Sequence, residues 1–191
     1  MRTTRRHPYA SAFAALVTLA VPAILAACAN DATRSLEPSL PKALASVQPD
    51  LGNCGNLAPP AGSTLVFHAY ARGVQIYRWT GTSWEFVAPE AVLYQDDGEN
   101  GVLATHFAGP TWKSHSGSTV VGVVTQRCTP DPDAIPWLLL KATSEGPGIF
   151  QGVTFIQRVN TVGGLAPTEP GEVVGEEAEV PYTADYFFYR G

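Results

Sequence analysis

Charge is scarce in this 191-residue chain: Asp, Glu, Lys and Arg supply 15% of the residues against 45% hydrophobic. That leaves apolar material for one packed domain and too little length for two. Basic charge is scarcer still, with 12 Lys and Arg facing 17 Asp and Glu for a formal net charge of −5. An acidic surface repels phosphate backbones, so nucleic acid is excluded as a partner. After Thr64 no stretch repeats its apolar residues at the 3.6-residue period of an amphipathic helix. Catalytic signatures are missing as well. There is no Gly-x-Ser-x-Gly elbow, and no acid is placed by sequence beside His115 and Ser116-Gly117-Ser118. The nearest approach to a dinucleotide loop, Gly146, Gly148 and Gly152, has the wrong final spacing and precedes a strand instead of opening a helix. No cofactor is expected.

What is present begins with a leader. Arg2, Arg5 and Arg6 form a basic front, and Ala10 to Ala27 is nearly continuous Ala, Leu, Val and Ile, the layout of a signal peptide over residues 1–27. It ends in Leu25-Ala26-Ala27-Cys28, which resembles the lipobox of bacterial lipoproteins. The resemblance implies cleavage before Cys28, lipidation of its thiol, export, and membrane attachment at the cell envelope, in the outer membrane or at the cell surface. The alternatives are a soluble secretory signal or an uncleaved anchor. The apolar run is short for a transmembrane span and contains Pro22. Cleavage removes three arginines, so the mature chain carries 12 − 3 = 9 bases against 17 acids, a net charge of −8. Cys54 and Cys128 then remain as an even pair in an exported protein. A disulfide between them would stabilise by roughly 2 to 4 kcal/mol, the alternative being two buried thiols.

Residues 28–53 are rich in Ala, Ser, Pro and Leu and read as a flexible tether, with a single domain over 54–191. From Thr64 the chain consists of short β-branched and aromatic runs between Gly, Asp, Asn and Pro breaks. This predicts an all-β domain: an antiparallel meander of about 8 to 10 short strands closing as a sandwich or barrel. Leu65–Ala71 and Val74–Thr80 read as separate strands, as do Trp84–Val87 and Ala91–Tyr94. Tyr77–Trp84 and Thr105–Trp112 echo one another as two similar hairpins. The most core-like stretch is Ala134 to Gly164, two strongly apolar strands around a Gly/Pro loop. Gly163 to Val180, with five glutamates, reads as an acidic surface loop before a last strand over Pro181–Tyr189.

Candidate functional residues are few. His68, His106 and His115, with Asp96, Asp97 and Glu99, hold the donors of a metal site, but their spacing is neither close nor regular. His106 is expected to bond a backbone group. Arg158 lies in an apolar strand, where alternation puts Thr154, Ile156, Arg158 and Asn160 on one face. An ion pair with Asp185 of the last strand is its expected use, because an unpaired buried arginine is costly; lining a ligand groove is the other. The aromatics Trp79, Trp84, Trp112, Trp137, Tyr70, Tyr77 and Tyr94 have the chemistry of a sugar or peptide platform, although core packing is the ordinary fate of such residues. Together His68, His106, Trp112 and Arg158 make the candidate ligand face.

Several blocks carry a family resemblance: Gly73–Tyr77, Thr105–Trp112, Ala134–Leu140, Phe155–Thr161 with Gly163-Gly164, and Val180–Tyr189. Over Leu57 to Tyr189 the chain resembles the secreted domain of unknown function 3455 family of bacteria and fungi. The resemblance implies no activity and no catalytic residue. The expected role is therefore a non-catalytic binding or structural module meeting a small molecule, glycan or protein; the alternative is a metal-assisted hydrolase using His68, His106 and nearby carboxylates. The lipobox makes the first prediction. Cys28→Ser should release the protein from membranes in a fractionation experiment, and unchanged membrane retention would count against lipidation.

Overall fold

A computed structural model describes residues 47–191. The leader, Cys28 and the tether up to residue 46 lie outside the described residues. Eight antiparallel strands form one closed barrel in sequence order: β1 (Thr64–Trp79), β2 (Trp84–Tyr94), β3 (Val102–Phe107), β4 (Thr111–Ser114), β5 (Thr119–Cys128), β6 (Trp137–Glu145), β7 (Phe155–Gly163) and β8 (Glu177–Arg190). β8 closes against β1 over the whole of its length, from Thr64 opposite Arg190 to Arg78 opposite Glu177. The barrel is thus the form taken by the all-β meander that the sequence implies, and both echoed segments are hairpins, β1–β2 and β3–β4.

Two expected breaks are not breaks. β1 runs through Gly73, where a side chain would collide with the backbone of Glu90 and Ala91, so the glycine marks close strand approach and not a turn. β2 runs through Pro89, in the half of the strand that extends beyond its pairing with β3. On that free edge a missing N–H withdraws no ladder bond. The last strand likewise starts at Glu177, and the acidic loop is shorter than expected.

Large and small residues share the interior. Phe67, Trp112, Tyr182, Tyr186 and Phe188 are accommodated by Ala69, Ala71, Ala91, Ala104, Ala142 and Ala184, all in one buried cluster. Phe150 of the β6–β7 loop packs on Phe67 and Phe188, the three ring centroids lying 4.4 to 5.8 Å apart, and closes that end of the barrel. The outer face of β6, β7 and β8 is covered too. The segment leading to the short 3-10 helix Gly55–Leu57 places Leu51, Cys54 and Leu57 against Trp137, Leu139 and Phe155. Gln48, within the stretch expected to be tether, also takes part, its side-chain oxygen lying 2.9 Å from the Tyr189 hydroxyl. Fully buried Gln157 clamps this strap by donating to Leu57 O at 2.7 Å and accepting from Tyr189. Burial on both faces is the physical reason that Trp137–Leu140 and Phe187–Tyr189 are continuously apolar instead of alternating.

Cys54 and Cys128 are joined, with Cα atoms 5.7 Å apart and a sequence separation of 74. Replacing both by alanine should lower the unfolding free energy by about 4 kcal/mol, the loop-closure value for a ring of this size. Urea denaturation of oxidised and double-alanine proteins measures this, and a loss below about 1 kcal/mol would show that packing alone holds the strap.

Candidate functional site

The end of the barrel opposite Phe150 is open and leads into a cavity of about 390 Å³. Its wall is built from the ends of strands that meet there: Gln75 and Tyr77 of β1, Phe86 and Pro89 of β2, His106 of β3, Trp112 of β4, Val124 of β5, Leu138 and Leu140 of β6, Arg158 of β7 and Tyr186 of β8. Strand parity selects them. Gln75 and Tyr77 continue the inward series Phe67, Ala69, Ala71, and Arg158 follows Ile156 on β7. Bulges adjust the parity at the rim. One in β2 makes Val87 the extra residue opposite β1 and brings both Phe86 and Val87 to the opening. Gly122 gives Trp112 its space: a side chain there would lie 2.8 Å from Leu140 Cδ2 and 3.2 Å from the indole.

The polar groups in this cavity have unusual bonding. Arg158 Nη2 donates to Pro136 O at 2.8 Å, while its Nε has no partner among the described residues. Trp112 Nε1, Gln75 Nε2 and the Tyr186 hydroxyl are also buried without a partner at full hydrogen-bond geometry, as is the hydroxyl of Tyr182 behind the lining; Tyr186 interacts more weakly with Arg158 and Tyr182, and Tyr182 with Gln75. The Tyr77 hydroxyl, by contrast, donates to Gly164 O at 2.6 Å. The Arg158 charge opposes the burial that raises the pKa values of Tyr77, Tyr182 and Tyr186. His106 lies face to face with Trp112, centroids 4.2 Å apart, and edge-on to Tyr186. Its Nδ1 is 2.9 Å from Thr111 O, which can only accept, so Nδ1 carries the proton and Nε2 the lone pair. Burial lowers the His106 pKa to about 4; the Thr111 bond opposes this and the Arg158 charge adds to it.

The cavity brings together three of the four candidate ligand residues, His106, Trp112 and Arg158. His68 is elsewhere, on the outer face, stacked on Phe187 at 4.2 Å with Nε2 3.5 Å from Asp185 Oδ1. The expected Arg158–Asp185 pair does not form, because β8 turns Tyr186 inward opposite Arg158 and leaves Asp185 outside. Nor does Asn160 share the Arg158 face: a bulge with φ of 51° at Asn160 sends its amide outward to Asp185 Oδ2 at 2.7 Å. The hydrolase alternative loses its basis for the same reason, since His68 and His106 are on opposite sides of the wall. Among the described residues no three His, Cys, Asp or Glu side chains are gathered so as to hold a metal. His115 is exposed in the β4–β5 turn.

The aromatics form no common platform. Trp79 and Trp84 pair at the tip of the β1–β2 hairpin, Trp137 lies under the strap, and Tyr70 and Tyr94 are opposite one another outside the cavity. Gln75 and Tyr186 are site residues that sequence reasoning missed. The signal for Gln75 was a polar residue two positions beyond Gly73 on an otherwise small or apolar inward series.

Depression of the His106 pKa has a stability consequence. The unfolded ring takes up a proton below about 6.5 and the folded ring only near 4, so folding stability is full above 6.5 and declines as the pH falls between those values. The loss from this group is on the order of 3 kcal/mol. His106→Gln, which keeps an N–H donor for Thr111 O, should flatten that part of the stability–pH curve relative to the unaltered protein. Parallel curves in thermal or urea unfolding would refute a buried neutral His106.

The family described as protein of unknown function (DUF3455) matches residues 60–190, from the start of the barrel to its last strand. Neither a curated protein nor a solved structure matches the chain. With more than half its length, and every strand of the barrel, inside that match, the chain belongs to the DUF3455 family.

Proposed function

We propose that this domain is a non-catalytic binding module, held at the bacterial cell envelope by a lipid on Cys28, that takes a small molecule into the open end of its barrel. The cavity carries the reading. At about 390 Å³ it falls in the range of small-molecule sites. It also has their composition, with walls of Phe86, Pro89, Pro110, Val124, Leu138 and Leu140 around a few convergent polar groups. One end is sealed by the phenylalanine cluster and the other is open, so a ligand has one way in. A small molecule is favoured over a glycan or protein partner because, among the described residues, the tryptophans are dispersed and the aromatics form no broad surface. Export and lipid attachment rest on the leader and on Leu25-Ala26-Ala27-Cys28.

Calorimetric titration of the full-length protein with 2-naphthoate and 2-naphthamide tests the cavity. At least one should bind saturably at one site, and Leu138→Trp, which fills the cavity from a wall position, should weaken it by about tenfold or more, ~1.4 kcal/mol. Circular dichroism verifies that the variant keeps its sheet. Binding that Leu138→Trp leaves untouched would place the ligand elsewhere and overturn the proposal.

A further inference from the structure

The residues around the cavity define the chemistry of what it accepts. No Asp or Glu lines it, although acids outnumber bases 17 to 12 in the chain. Its charges are Arg158 inside and exposed Arg127 at the rim. Arg158 is not neutralised by the acid nearest in register, since Asp185 is outside the barrel, engaged with Asn160 and His68. A guanidinium partly withdrawn from water needs an anion or a full set of acceptors, and among the described residues Arg158 has the carbonyl of Pro136 and a weaker interaction with the Tyr186 hydroxyl. The unpartnered atoms around it have a common character. Arg158 Nε, Trp112 Nε1 and Gln75 Nε2 are N–H donors, and the Tyr186 hydroxyl is able to donate. Trp112, Gln75 and Tyr186 are each at least 97% buried, so water does not freely compensate them.

A donor-rich interior with one guanidinium calls for a ligand that ends in acceptor oxygens and carries one negative charge. The remaining wall calls for an apolar body, because Phe86, Pro89, Pro110, Val124, Leu138 and Leu140 offer no donors to bind anything else. The aromatic base is fixed: His106 covers one face of Trp112, and Tyr186 stands edge-on to it at 5.5 Å. Such packing holds the donors in place before a ligand arrives, which reduces the ordering cost of binding.

We propose that the barrel binds a small organic monocarboxylate, its carboxylate on Arg158 with Tyr186, Trp112 and Gln75 as the supporting donors, and its apolar body toward the rim at Phe86, Pro110 and Val124. This deepens the binding-module reading and rests on it. Arg127 at the rim supplies a second positive charge along the path of entry, where it raises the local concentration of anions around a protein whose net charge repels them.

The test compares an acid with its neutral isostere. In calorimetric titrations of the full-length protein at neutral pH, 2-naphthoate should bind at least about tenfold more tightly than 2-naphthamide. Arg158→Gln should remove that advantage by weakening the acid and sparing the amide, and Arg158→Lys should restore part of it. Tyr186→Phe should cost the acid a further few-fold. The acid–amide comparison in the unaltered protein decides the matter even where an Arg158 variant fails to fold. Equal affinities for acid and amide, with both sensitive to Leu138→Trp, would overturn the carboxylate assignment and leave the binding module standing. Failure of both compounds to bind would overturn the two together.

Discussion

The pairing of β1 with β8 turns a row of hairpins into a surface with an inside and an outside, and each side chain in the strands is committed to one or the other. Without that seam, β1 and β8 would be open edges with unpaired amides and the apolar series Phe67-Ala69-Ala71 would have nothing facing it. With it, the interior becomes a fixed volume to be filled. The sealed end is filled by phenylalanine rings and the open end is incompletely filled by Trp112, Tyr186 and Arg158. The cavity is therefore the part of that volume that the side chains at the open end leave unfilled. Alanines at inward positions determine how deep the aromatic residues can sit.

Fold class was legible because the evidence for it is local. Turn residues and β-branched runs recur along the chain, and after Thr64 no helical period competes with them. The number of strands was less legible, since Gly73 and Pro89 have two meanings. Glycine marks either a turn or a close approach, and proline marks either a break or an unpaired edge; only the position of the neighbouring strand distinguishes them. The site divided in the same way. His106 was expected to bond backbone, and Thr111 O provides the bond. Arg158 was assigned a partner by assuming unbroken alternation and guessing which residue of β8 stood opposite. The register instead opposes it with Tyr186, and the bulge at Asn160 reverses the parity just beyond it. A bulge has no sequence code as strong as the alternation it interrupts, so side-chain direction past residue 159 was beyond sequence reasoning.

Two polar networks in this fold show opposite solutions to burial. Beneath the strap, Gln157 is wholly buried and both ends of its amide are satisfied, by Leu57 and Tyr189, so the polarity there serves attachment. Inside the barrel, donors of comparable burial are left without acceptors. Five of the seven buried side-chain atoms left without a full partner among the described residues, those of Gln75, Trp112, Arg158, Tyr182 and Tyr186, gather there; His68 Nε2 and Thr154 Oγ1 lie elsewhere. That concentration at the open end comes with rigid aromatic contacts around the donors.

The disulfide has a mechanical meaning apart from its effect on stability. Residues 55 to 127 lie inside a covalently closed ring, and that ring contains all of β1 to β4 and nearly all of β5. Tension applied to the chain before Cys54 passes through sulfur to Cys128 and cannot lengthen anything between them. β1, the first strand and the one that a pull from the N-terminus would otherwise peel from β8, is taken out of the line of force. A domain built this way can be tugged by its leading end without the seam of its barrel being the first thing to give.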